Sequence, residues 1–100
     1  MFFVYVLFSI LDKKLYIGYT PDDVYRRFVK HQEGDVPSTK NRRPFKLIFF
    51  EAFISEQDAL RRERYFKTNQ GRKALKIISR ESLKIITQVA QGLPEILAHK

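Results

Sequence analysis

Phe2 to Phe8 is an unbroken run of aromatic and aliphatic residues, closed by Ser9. It shows no polar alternation, so both faces are expected to be apolar, as in a central strand. Asp12-Lys13 marks a turn, and Leu15 to Gly18 resumes the apolar run, which predicts a β-hairpin. The turn lacks the favoured Asn-Gly or Asp-Gly pair, so the pattern leaves its register open. If the hairpin closes with an even number of loop residues, for instance with Leu11 opposite Lys14, Tyr5 shares a sheet face with Ser9 and Tyr16.

The period then changes from strand to helix. Thr20-Pro21-Asp22-Asp23 combines capping side chains, a proline suited to a first turn and acids that match the helix dipole. This predicts a helix running to about Glu33, with Gly34 as its stop. Asp35 to Pro44 reads as a polar loop, and Phe45 to Phe53 as another strand. Ser55, with Asp58 three residues on, opens a second helix expected to reach Asn69. A short helix over Gln70–Ile78 follows, with Gly71 near the break. Ser79 begins a last amphipathic helix on Leu83, Ile86, Val89 and Ala90, ended by Gly92 and Pro94. The order is β-β-α-β-α-α-α. The expected fold class is α/β (α+β), a small three-stranded mixed or antiparallel sheet flanked by helices.

One hundred residues provide one core. Nineteen Lys and Arg against eleven Asp and Glu give a formal charge of +8, which a polyanionic partner would most simply offset. Ribosomal proteins, nucleases and binders of anionic membranes share that excess, so charge alone does not choose among them. The absence of cysteine excludes disulfides, thiolate metal sites and a thiol nucleophile. Any metal would be held by carboxylate, imidazole or water, which favours a hard ion such as Mg²⁺. The apolar start lacks a basic leader and a small-x-small cleavage site and is too short to span a bilayer, so a cytoplasmic location is expected.

Two helices carry residues that are locally wrong for folding. In the first, Val24, Arg27, Phe28 and His31 share one face, which places a guanidinium and an imidazole on the apolar stripe. Arg26 projects with Lys30 and Glu33 toward solvent. In the second, Ala59, Leu60, Glu63, Phe66 and Lys67 form the stripe, with a carboxylate in its middle. Such violations mark function, although a snorkelling arginine, a helix-capping histidine and a structural ion pair are the plain alternatives.

Taken together, Phe3-Val4-Tyr5, Tyr16-Ile17-Gly18, Arg27-x-x-x-His31 and Glu63 within Ala59–Lys67 resemble the GIY-YIG endonuclease superfamily. The likeness is to its small stand-alone members, similar to the nuclease domain that opens one component of the DNA-repair excinuclease. Ser38 to Leu47 is also typical of that subgroup, and the resemblance covers about residues 2 to 76. It implies a nuclease domain over residues 1–78; residues 79–100 lie outside it and are expected to form a helical extension packed on the same domain. It further implies hydrolysis of DNA phosphodiesters with a single Mg²⁺ or Mn²⁺ ion. By position, Tyr5, Tyr16, Arg27, His31 and Glu63 are the catalytic set, Glu63 is the metal ligand, and Gly18 is the motif glycine.

In that scheme Arg27 neutralises a phosphoryl oxygen, and a tyrosinate takes a proton from the attacking water. A phenol has an ordinary pKa of about 10, so this requires nearby cations to lower it. Tyr5 is the first choice for that base and Tyr16 the aligning partner, although reversed roles suit the sequence equally well.

Three departures stand out. The first motif has lost its glycine and isoleucine. One extra residue before Arg27 makes Arg26 a rival. Only Asn69 is available for a late asparagine that some members carry. Lys40, Arg42, Arg43, Lys46 and Lys67 are candidates for phosphate-backbone contact. No base-reading module is present, so weakly specific or structure-directed cutting is expected, or targeting by a protein partner. No small-molecule cofactor and no membrane contact are expected. The competing readings are a non-catalytic nucleic-acid-binding domain and an RNA-directed or ribosome-associated module.

Overall fold

A computed structural model of the protein describes residues 1–90. Strands β1 (Phe2–Ser9), β2 (Leu15–Thr20) and β3 (Phe45–Phe53) form an antiparallel sheet in the order β2-β1-β3. The helices are α1 (Val24–Glu33), α2 (Glu56–Phe66), α3 (Asn69–Ile78) and α4 (Arg80–Ala90). The apolar first strand is therefore central, as its two-sided hydrophobicity requires.

The hairpin pairs Tyr5 with Gly18 and Leu7 with Tyr16. Ser9 N donates to Lys14 O at 2.9 Å and Lys13 N donates to Ser9 O at 2.9 Å, so the loop is Ile10–Lys13 rather than the pair between Leu11 and Lys14. The slip is two residues, and an even slip preserves facing: Tyr5 and Tyr16 do share a side. The turn closes with Lys13 in the left-handed region, at φ 63°.

Opposite faces of the sheet are covered by different helices. Val4, Val6 and Ile17 pack with Ala59, Phe66 and Leu75 of α2 and α3. Tyr5 and Leu7 pack with Val24 of α1 and with Phe45. The first helix starts and stops on its expected signals: Asp23 Oδ1 accepts from Arg26 N at 3.0 Å, and Gly34 takes φ 82° beyond the end. The second helix ends at Phe66, earlier than expected. There Thr68 Oγ1 accepts from Gly71 N at 3.0 Å and caps a new helix. Gly71 is obligatory at that corner because a Cβ would overlap the Tyr65 carbonyl. Residues Leu83 and Ile86 of the last helix are half-buried, and that helix packs on β3 and α3. The expected stop at Gly92 and Pro94 lies outside the described residues. Among the described residues, no helix is long and apolar enough to cross a membrane.

Candidate active site

The α1 face of the sheet holds a buried polar chain. Tyr5 is 1% exposed and His31 is 0% exposed, and the phenol oxygen lies 2.7 Å from His31 Nε2. On the far side of the ring, His31 Nδ1 is 2.7 Å from Oγ1 of Thr39, which is also fully buried. The Thr39 hydroxyl donates to Val36 O, so its oxygen accepts the Nδ1 proton. We therefore assign His31 Nε2 as the acceptor of the Tyr5 O–H. Arg27 Nε donates back to the phenol oxygen at 3.4 Å.

Sequence alone pointed to Arg27 and His31, and the structure brings both onto Tyr5. Tyr16 completes the cluster, its ring centroid 5.2 Å from His31 and 6.4 Å from Tyr5. It is half-buried, and its hydroxyl has no protein partner among the described residues. Gly18 lies directly under the Tyr5 ring, where a Cβ would overlap Cζ and the phenol oxygen. The motif glycine thus makes room for the motif tyrosine.

Thr39 was missed. The loop that carries it looks like a solvated basic stretch, yet Val36 and Thr39 are buried and the loop is tied down throughout. Ser9 Oγ donates to Arg42 O at 2.6 Å, Ile10 N donates to Pro44 O at 2.8 Å, and Phe45 N donates to Gln32 Oε1 at 2.7 Å. The only sequence signal was a hydroxyl-bearing residue in a stretch typical of the small subgroup.

Burial dominates the electrostatics of Tyr5 and His31. Burial pushes the Tyr5 phenol up to about 12, an effect its hydrogen bond from Arg27 only moderates. Arg27 alone does not depress this group, because loss of water outweighs it. Burial, and secondarily the Arg27 charge, hold His31 down to about 4, so the imidazole is neutral at pH 7.

Glu63 lies on α2, the helix that covers the other sheet face. Its carboxylate field is felt at Tyr5 and at Tyr19. Two contacts fix the helix that carries it: Tyr19 Oη donates to Glu56 at 2.6 Å, and Arg62 makes a two-pronged bond to Glu51 at 2.8 and 3.1 Å. The Glu63 side chain is 20% exposed and is paired with Lys67 Nζ at 3.1 Å. Among the described residues no group of three or more His, Asp or Glu is placed to hold an ion. A single carboxylate fits only a hard cation that keeps several waters and takes further oxygens from a substrate, as Mg²⁺ does.

The expected phosphate contacts divide. Lys40 and Lys46 are exposed, but Lys46 pairs with Phe8 and so lies on the sheet face opposite Tyr5. Arg42 is committed to Asp12, with Nε at 2.6 Å, and Arg43 donates to Lys40 O at 2.8 Å while its guanidinium lies against Gly34. Both arginines thus carry structural bonds, Arg43 through Nε alone. Lys67 is held by Glu63. In their place Arg26 and Lys30, which the sequence turned to solvent, line a cleft of about 240 Å³ together with Arg27, Tyr19 and Asp22. Arg27, not Arg26, bonds the Tyr5 phenol. Asn69 is exposed in the first turn of α3.

Residues 1–76 match the family described as the GIY-YIG catalytic domain. The UPF0213 protein SSP2268 of Staphylococcus saprophyticus is 38% identical over 78 residues, covering 77% of this chain and 93% of that one. The UPF0213 protein YazA of Bacillus subtilis is 41% identical over 66 residues, covering 65% of each. The solution NMR structure of the UPF0213 protein BH0048 from Bacillus halodurans is 35% identical with a TM-score of 0.48, covering 78% of this chain and 85% of that chain. With the tyrosine pair, the glycine beneath Tyr5 and the arginine above it all accounted for, the chain belongs to the GIY-YIG family of nuclease domains.

Proposed function

We propose that the protein is a divalent-metal-dependent endonuclease that hydrolyses DNA phosphodiester bonds, with Glu63 as the sole protein ligand of one Mg²⁺ or Mn²⁺ ion. The observation that carries this reading is the convergence of Tyr5, Tyr16, Arg27 and His31 on one sheet face beside a basic cleft. A bound ion would supply polarisation of a phosphoryl oxygen and neutralise charge on the departing oxygen. Arg27, lining the cleft, pairs with a second non-bridging oxygen as negative charge builds.

Proton removal from the attacking water is assigned to Tyr16. Its phenol is half-buried and without a protein partner among the described residues, whereas Tyr5 is sealed and spends its proton on His31. Tyr5, His31 and Thr39 then act as a rigid stack that positions Arg27 and walls off the site.

Cations without base-reading elements support weakly sequence-specific or structure-directed cutting, in DNA repair, recombination or processing. Residues 1–78 carry the activity, and 79–100 form an extension of the same domain. A cytoplasmic location and a targeting protein partner belong to the same reading.

The Lys67–Glu63 ion pair favours a second reading, a non-catalytic nucleic-acid-binding domain in which the ligand position is closed. The two are separated by incubating the protein and Glu63→Ala with nicked, flapped and intact DNA, with and without Mg²⁺. The enzyme reading expects metal-dependent cutting by the parent protein and a loss of at least about 10³-fold in the variant, with DNA affinity retained. Equal binding with no cutting by either protein would establish the second reading.

A further inference from the structure

A second basic cleft lies away from the tyrosine cluster. The hairpin turn and α3 enclose about 600 Å³ between Lys13, Lys14 and Leu15 on one side and Arg72, Leu75 and Lys76 on the other. The one acid there, Asp12, is consumed by Arg42, which grips it at 2.6 and 3.3 Å. Among the described residues none of Lys13, Lys14, Arg72 and Lys76 has an acidic partner. Apart from a bond from Lys13 Nζ to Ile10 O at 3.0 Å, these cations make no side-chain hydrogen bond among the described residues. Arg72 and Lys76 are like charges one helical turn apart, which is destabilising. Lys13 occupies a left-handed position, φ 63°, that Gly or Asn fills more easily. Local costs that concentrate in one cleft mark a ligand.

We propose that this cleft is a second binding site for the phosphate backbone of DNA, separate from the scissile site. Phosphate contact requires only cations, and no aromatic side chain lines the cleft to anchor a protein partner. Its position suits a continuous track. Leu15, at the start of edge strand β2, borders this cleft, and Tyr19 and Thr20, at the end of the same strand, border the cleft of Arg26 and Arg27. At about 3.3 Å per residue the two are roughly 17 Å apart along β2, with Leu15 and Tyr19 turned to the sheet face opposite Tyr16. DNA that crosses the β2 edge from the α1 face meets the cations of Arg26 and Arg27 and then those of the hairpin turn and α3. The arrangement holds DNA beyond the bond being cut and so sets how long a substrate the domain needs.

The test measures binding, not cutting, so it stands apart from the assignment of Glu63. A short fluorescein-labelled duplex is titrated without metal into the full chain and into Lys13→Gln/Lys14→Gln/Arg72→Gln/Lys76→Gln, across a range of salt concentrations. The expected result is a roughly tenfold or larger loss of affinity and a log K against log salt slope shallower by about 2 to 4, since each phosphate contact contributes ~0.9. Independently, adding the duplex to the isotope-labelled parent protein should shift the amide resonances of residues 12–15 and 72–76 as well as those of 19–30. An unchanged slope with unshifted amides at the hairpin turn and α3 would overturn the proposal and leave an acidic protein surface as the occupant. A parent protein that binds in this way but never cuts would overturn the enzyme reading and leave the second site intact.

Discussion

The two faces of this three-stranded sheet are built from the same strands and solve different problems. The face under α2 and α3 is an ordinary apolar core, with Val4, Val6 and Ile17 against Ala59, Phe66 and Leu75. The face under α1 buries a phenol, an imidazole and a hydroxyl in a line, each satisfied by the next. An unpaired buried polar group costs about 1–3 kcal/mol, so this second face is stable only as a complete set. The first face tolerates imperfect packing by degrees; the second loses a partner whenever one member is removed. Apolar packing concentrates on one side and the buried polar chain on the other, and the central strand serves both.

The contrast is sharpest for Phe66→Ala. This fully buried ring contacts Phe49 edge-on and lies under the Arg62 guanidinium at 4.3 Å. Its loss should cost about 3–5 kcal/mol in a urea titration while the cutting rate per folded molecule stays near that of the parent protein. A large fall in that rate would show that the two faces are not separable.

The next effect is acidification. His31 has a folded pKa of about 4, below its ordinary 6.5, so between those values the unfolded chain binds more protons and stability rises with pH. The contribution is complete above about pH 6.5 and is lost toward pH 4, with a magnitude of roughly 3 kcal/mol. Urea midpoints of the parent protein and His31→Gln should differ in slope across this window and run parallel above it. Asp12, held down to about 2 by its bond from Arg42, adds a separate loss that begins below its ordinary 3.8.

Thr39→Val keeps the shape and removes the acceptor of the His31 proton. It should cost about 1–3 kcal/mol. Because Thr39 acts through His31, kcat should fall roughly tenfold or more with little change in KM. A fall in stability with unchanged kcat would make Thr39 purely structural.

The smallest effect belongs to Lys67→Ala. Removing this exposed one-turn ion pair should change stability by no more than about 0.5 kcal/mol. It frees Glu63, so Mn²⁺ affinity read by calorimetry should rise about two- to fivefold. An unchanged affinity would mean that Lys67 does not compete with the ion.

Where the sequence carried explicit local signals, the structure followed them. Asp23 and Gly34 bound α1, and the stripe of Val24, Arg27, Phe28 and His31 foretold which side chains would meet the sheet. What stayed hidden depended on distant partners. The hairpin register was set by a four-residue loop with Lys13 in an unusual conformation, which has no composition cue. The bond from Arg42 to Asp12 stayed hidden because charge in a loop reads the same whether it faces water or a carboxylate. Thr39 had no periodicity to reveal its burial, and the loss of water around Tyr5 that raises its pKa belongs to the assembled core alone.

The strand order also bears on solubility. With β1 central, β2 presents an open edge whose free N–H and C=O groups would accept a strand from another copy. Cations at both ends of that edge keep copies apart by repulsion while the protein is bare. Bound polyanion cancels the same repulsion. Self-association, followed by light scattering during a DNA titration, should therefore peak where the charges balance and recede with either component in excess.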